Sequence, residues 1–281
     1  MTRLHHPSRR LGPGLLLAAL MLATLAAWSQ HDWSRGEHDK RGGVPDWVRD
    51  EELPHDTFTF TRIQYDSWGG GWRGRGKWSI DYPESDLNLS FRLQQLTALK
   101  VDPEGTVLNL TEAALFQYPF IYIIEPGEMV LSEDEVKALR RYLLTGGFLM
   151  VDDFWGEAEW ENFEREFKRV FPAREIVELP IGHEVFQCVF PLKKKPQVPN
   201  PGTASRGAPY GITWERSDAE TPHYRGMYDD DGRLMTIICH NTDLGDGWEE
   251  ESRAGEWYFK EFSEPKAYPM GINIIFYAMT H

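Results

Sequence analysis

Cysteine is nearly missing from this chain: Cys188 and Cys239 are the only two in 281 residues. Two thiolates are too few for a multi-thiolate metal site. Both fall in apolar, strand-like runs, which suits buried thiols, although an oxidising compartment would allow a single disulfide. Positive charge is also scarce. Thirty Lys and Arg face 44 Asp and Glu, leaving a net charge of −14, and such a surface repels nucleic acid and anionic lipid alike. The one dense basic run, Lys193 to Lys195, reads as a solvated loop. The signatures His-Glu-x-x-His and Gly-x-Ser-x-Gly do not occur. A glycine-rich stretch at 66–77, DSWGGGWRGRGK, lacks the final Lys-Ser or Lys-Thr of a nucleotide loop. It reads as a rim loop, with Trp68 and Trp72 as contact residues. No internal repeat is visible.

Long hydrophobic runs are limited to one. Arg3, Arg9 and Arg10 precede an apolar run at 11–27, and Ala27-Trp28-Ser29 has small residues in the two decisive places for cleavage. This is the pattern of an export signal. A run of about 17 residues also reaches the short limit for a bilayer span, so residues 1–29 read as a signal peptide or an N-terminal membrane anchor. Residues 30–54 lack periodicity and carry Gly42, Gly43 and Pro45 among charges, as a linker does. Residues 55–281 then form a single α/β domain.

The domain is organised around residues 116–156. The run at 120–124 is aromatic and β-branched and too short for a helix, so it predicts a strand covered on both faces. Ser132 and Glu135 make a capping box, with Val136, Leu139, Leu143 and Leu144 on one helical face behind it. Gly146 and Gly147 stop that helix. A second apolar run at 148–151 ends in Asp152 and Asp153. Strand, helix, strand is a right-handed parallel crossover, and it places Glu125 and the Asp pair at the carboxyl edge of the sheet, where open α/β folds bind ligands. Further on, Trp160, Phe163, Phe167 and Val170 predict another helix. The runs at 224–228 and 233–239 flank Asp229-Asp230-Asp231-Gly232 as a β-hairpin excursion near the C-terminus. Met270, Ile274, Phe276 and Tyr277 predict a closing apolar helix. The expected fold is therefore α/β, with a mostly parallel central sheet flanked by helices.

Several segments together resemble one bacterial family, catalogued as domain of unknown function 4159. They are TGGFLMVDD, the Leu-Pro-x-x-His from Leu179 to His183, DLGDGWE from Asp243 to Glu249, and the closing GINIIFYAMTH. The resemblance spans roughly residues 58–281. More remotely it implies a class I glutamine amidotransferase-like, flavodoxin-like sheet. Enzymes of that fold carry a cysteine in an elbow after a central strand; Asp152 or Asp153 stands there in this chain. The amidotransferase nucleophile is absent, so that mechanism is not inherited.

Two functions follow as expectations. The first is an exported, non-catalytic module that binds an envelope protein or a carbohydrate, with no cofactor, no nucleic acid partner and no assigned metal site. Trp68, Trp72, Glu125, Asp153, His183, Asp243, Asp246, Trp248 and Glu249 are its candidate ligand-binding residues. The second is a metal-assisted or carboxylate-based hydrolase, with Asp152, Asp153 and His183 as candidate catalytic residues beside the 243–249 acids. The export signal predicts that the full-length chain, expressed in bacteria and fractionated, leaves the cytoplasm while a chain starting at Gln30 stays inside. Equal cytoplasmic retention of both would contradict it.

Overall fold

The computed structural model describes residues 41–49, 56–68, 76–251 and 253–281. The apolar run at 11–27 and Trp72 lie outside the described residues. One unit extends from Gly43 to His281. Its framework is a seven-stranded sheet of β1 (Thr61–Gln64), β2 (Thr106–Asn109), β3 (Phe120–Ile124), β4 (Phe148–Asp152), β5 (Val177–Glu178), β6 (His223–Tyr228) and β7 (Leu234–His240), in spatial order β2-β1-β3-β4-β7-β6-β5. The first five strands in that order are parallel; β6 and β5 close the sheet antiparallel.

The two central runs explain the layering. Every residue of β3 and β4 is buried, and the strands pair in register from Phe120 with Phe148 to Ile124 with Asp152. Successive side chains leave a strand on opposite faces. Phe120, Tyr122, Ile124, Phe148 and Met150 therefore enter one apolar layer, and Ile121, Ile123, Leu149 and Val151 enter the other. The first layer is covered by α1 (Glu84–Leu96) through Leu89 and Leu93 and by the C-terminal helix. The second is covered by α2 (Glu133–Leu144) through Val136, Leu139 and Leu143, and by α3 (Gly156–Val170) through Phe163, Phe167 and Val170. Ser132 and Glu135 close the capping box on α2. Val44 is buried, and Trp47 Nε1 donates to Val101 O, so the chain already packs on the domain there.

Two expectations are corrected. The C-terminal region is not a β-hairpin excursion: residues Gly255–Thr280 are helical, with a π-type stretch at Phe259–Ala267 that contains Pro265, and then α5 (Tyr268–Thr280). The strands flanking Asp229–Gly232 are integral to the main sheet, and β7 is buried at all of its positions. Length and polarity around the turn suggested an excursion, but pairing with β4 buries β7 on both faces. The membrane reading is cut back as well: no helix among the described residues is long and apolar enough to cross a membrane, and the anchor expected at residues 1–29 lies outside them. Between α4 (Leu244–Glu249) and α5, Gly271 permits close contact, since a Cβ there would lie 2.6 Å from the Trp248 ring. Cys188 and Cys239 are both free thiols.

Leu139 is fully buried at the centre of the second layer. Leu139→Ala is expected to cost about 2–4 kcal/mol, in the usual range for a buried large-to-small change, as measured by urea denaturation. A loss under about 0.5 kcal/mol would show that this face carries no core packing.

Candidate functional site

Three neighbouring parallel strands end in the same way. The residue just past β3 is Glu125, past β4 Asp153 and past β7 Asn241, and all three hold left-handed backbone, with φ of 52°, 56° and 60°. Asp81, before α1, is the fourth such non-glycine residue among the described ones, at φ 60°. A left-handed conformation costs a side-chain-bearing residue roughly 1–2 kcal/mol, and strained backbone of this kind gathers at functional sites. Hydrogen bonds hold these turns. Asn241 Oδ1 accepts from Gly156 N at 2.8 Å, its Nδ2 donates to Thr221 O at 2.9 Å, and Glu125 N donates to Asp152 O at 3.1 Å.

Asp152 points back into the domain. Its Oδ2 accepts from Leu244 N at 3.0 Å, Gly245 N at 3.1 Å and the Tyr122 hydroxyl at 3.2 Å, so a strand-end carboxylate caps the start of α4. Asp243 caps the same helix locally, accepting from Asp246 N at 2.7 Å. These contacts turn the Asp243–Glu249 segment over the edge of the sheet.

The result is a cluster of carboxylates. Oxygen atoms of Asp81, Asp153 and Asp243 lie within 4.8 Å of one another; so do those of Asp81, Asp246 and Glu249, and those of Glu215, Asp243 and Asp246. Asp81 Oδ2 is shut off from solvent and has no hydrogen-bond partner. The alternating acids would otherwise repel, and burial penalises their charged forms. Burial first, and then the neighbouring acids, push Asp81, Asp153 and Asp243 well above the usual carboxylate range. Burial raises Asp246 to about 6 and Glu249 to about 7, each with further help from neighbouring acids. Asp152 reaches about 7 through burial, which its hydrogen bonds only partly offset.

Beside the cluster opens a cleft of about 220 Å³, lined by Lys77, Glu125, Glu128, Asp153, Trp155, Glu159, Glu215 and Arg216. Lys77 Nζ meets Glu125 at 2.7 Å, and Arg216 pairs with Glu159. Trp155 Nε1 donates to Asp153 Oδ1 at 3.3 Å. A larger cavity, about 580 Å³, is lined by Thr57, Asp102, Thr106, Tyr118 and Met279 among others. It gathers no set of three ligating side chains among the described residues.

Residues 59–279 match a family described as Domain of unknown function (DUF4159). The chain belongs to the DUF4159 family. A search of curated proteins finds no match. The family match extends no further support to a class I glutamine amidotransferase-like fold.

Within this DUF4159 domain the structure brings together Glu125, Asp153, Asp243, Asp246 and Glu249 from the sequence-derived candidates, with Asp152 bracing them from below. It does not bring His183. That ring caps a 3-10 turn through Nδ1, which accepts from Val185 N, and its Nε2 lies 3.1 Å from the Tyr228 hydroxyl. Tyr228 pairs with Leu234 at the start of β7, whereas the acids follow the end of β7. At about 3.3 Å per residue the two ends are roughly 20 Å apart. Trp248 is a core residue against Tyr122, with ring centroids 6.0 Å apart. Trp68 is exposed, and its backbone N donates to Glu128 O at the rim of the cleft.

Sequence reasoning missed Asp81, Glu215 and Arg62. Arg62 had a signal, a lone charge in the inward alternation Phe58, Phe60, Arg62. Asp81 and Glu215 sit in irregular segments whose approach to the edge no local pattern reports.

The pKa directions give a pH dependence. Asp152, Asp246 and Glu249 have folded values above their unfolded ones, so their contribution is full at low pH and is lost as pH rises through about 6–7. His240, held near 4 chiefly by burial, opposes them only below about pH 6.5. In chelator, the melting temperature at pH 6.5 is therefore expected to exceed that at pH 8 by roughly 2–4 °C, equivalent to about 1 kcal/mol. Glu249→Gln should shrink the difference in scanning calorimetry. A lower melting temperature at pH 6.5 would contradict the electrostatic picture.

Proposed function

We propose that the carboxyl-edge cluster is a hydrolytic centre in which carboxylates hold a divalent cation and activate water. The observation that carries this reading is the convergence of Asp81, Asp153 and Asp243 within 4.8 Å, with Asp81 Oδ2 buried and unpartnered. An all-oxygen donor set suits hard cations such as Mg²⁺, Mn²⁺ or Ca²⁺. A cation there would supply the positive charge that burial otherwise obliges protons to supply. Asp81, Asp153 and Asp243 would hold the ion, which serves to polarise water and substrate oxygen. Asp246 and Glu249, titrating near neutrality, are the groups suited to exchange a proton with water during the reaction. The adjoining cleft supplies room for the substrate, and the exposed indole of Trp68 offers a face for a carbohydrate or an envelope protein at its rim. The arginine-led apolar run at 11–27 supports action outside the cytoplasm.

Titration calorimetry with Mn²⁺ is expected to give saturable binding to the wild type and a loss of at least about tenfold in affinity for Asp153→Asn, with an unchanged circular dichroism spectrum. Absence of binding by the wild type to Mn²⁺, Mg²⁺ and Ca²⁺ would remove the cation reading. Binding that persists undiminished in Asp153→Asn would move the site elsewhere.

A further inference from the structure

We propose that Arg62 is the positioning residue of the carboxylate centre, joining its two halves without touching the ligand. The inference rests on the cation-holding role of Asp81 proposed above.

Arg62 lies on β1 and is fully buried. Its Nη1 donates to Trp78 O at 2.9 Å and Ile80 O at 3.0 Å, the carbonyls three residues and one residue before Asp81. Nη2 reaches Ser85 Oγ at 2.9 Å and Asp86 Oδ1 at 2.5 Å, and Nε reaches both Asp86 oxygens at 3.0 and 3.2 Å. Ser85 N in turn donates to Asp81 O at 2.9 Å. Each of the three guanidinium nitrogens thus donates to the one segment that carries Asp81 in its left-handed turn. Only arginine offers five donors in a fixed plane; lysine offers three on one atom.

The other half of the cluster is reached through the ring. The guanidinium carbon stands 5.0 Å from the Tyr122 ring centroid, and the Tyr122 hydroxyl donates to Asp152, which caps α4 through Leu244 N and Gly245 N. That helix brings Asp246 and Glu249. The two halves meet at Gly245, where a Cβ would fall 2.5 Å from Asp81 Oδ2 and 3.2 Å from the Tyr122 hydroxyl. The tolerance is therefore less than the size of a methyl group, and a shift of the Trp78–Ser85 segment would carry Asp81 out of reach of Asp153 and Asp243.

The test is a double-mutant cycle on Mn²⁺ affinity and melting temperature, with wild type, Arg62→Lys, Asp81→Asn and the pair. Arg62→Lys is expected to weaken Mn²⁺ binding by at least about tenfold in the wild-type background and by less than about twofold in the Asp81→Asn background. A purely structural arginine would lower the melting temperature in both backgrounds and leave affinity unchanged, which would overturn the proposal. Equal losses of affinity in both backgrounds would also overturn it. If Arg62→Lys does not fold, Ser85→Ala decides, since it removes one acceptor of the guanidinium and keeps every charge. A loss of about threefold or more supports the assignment, and wild-type affinity overturns it. A wild type that binds no Mn²⁺ refutes the cation centre first, and this assignment with it. Wild-type binding without an Arg62 effect refutes this assignment alone.

Discussion

A parallel sheet covered by helices on both faces confines its polar chemistry to its edges. In this domain β3 and β4 spend every internal position on packing, so the first residues free to carry function are those just past the last rung. Glu125, Asp153 and Asn241 occupy these places on three adjacent strands, and each turns the chain through a left-handed conformation at once. That common turn brings the segments after β3, β4 and β7 over one point.

Holding so many carboxylates together requires a rigid surround. Desolvation penalises each charge and mutual repulsion adds to it, so the loops cannot be held by the acids themselves. The bracing comes from below. Asp152 ties β4 to α4, Asn241 ties β7 to Gly156 and Thr221, and Arg62 ties β1 to the segment before α1. The buried Arg62–Asp86 pair is satisfied by further hydrogen bonds to Ser85 and to two carbonyls, the condition under which a buried pair is tolerated. Its role in this fold is better described as fixing geometry than as adding stability.

The acids also divide by setting. Asp81, Asp153 and Asp243 face one another in the buried part of the cluster, where burial dominates. Burial and the neighbouring acids raise Glu249 to about 7, and Arg253 at 2.9 Å only partly offsets them. Groups held at different protonation by different surroundings are what acid and base roles require.

Local pattern determined much of the framework. The burial of residues 120–124 and 148–151, the Ser132–Glu135 cap, the helical face of Leu139 and the closing apolar helix are all effects of neighbours within a few residues, and composition alone records them. The placement of Asp153 and the Asp243–Glu249 acids near a sheet edge was legible for the same reason, because they follow apolar runs directly. Tertiary structure decided the rest. His183 follows β5, but the turn after that strand, closed by His183 N donating to Pro180 O, seats its ring on Tyr228, at the end of β6 that lies away from the acids. Trp248 lies among acids in sequence, yet helix periodicity turns it into the core. Asp81 and Glu215 join the cluster from irregular segments, and Arg62 becomes its brace only because the chain from Trp78 to Asp86 folds around one guanidinium. Such convergence depends on the direction of strands and the path of loops, which residues distant in sequence settle together.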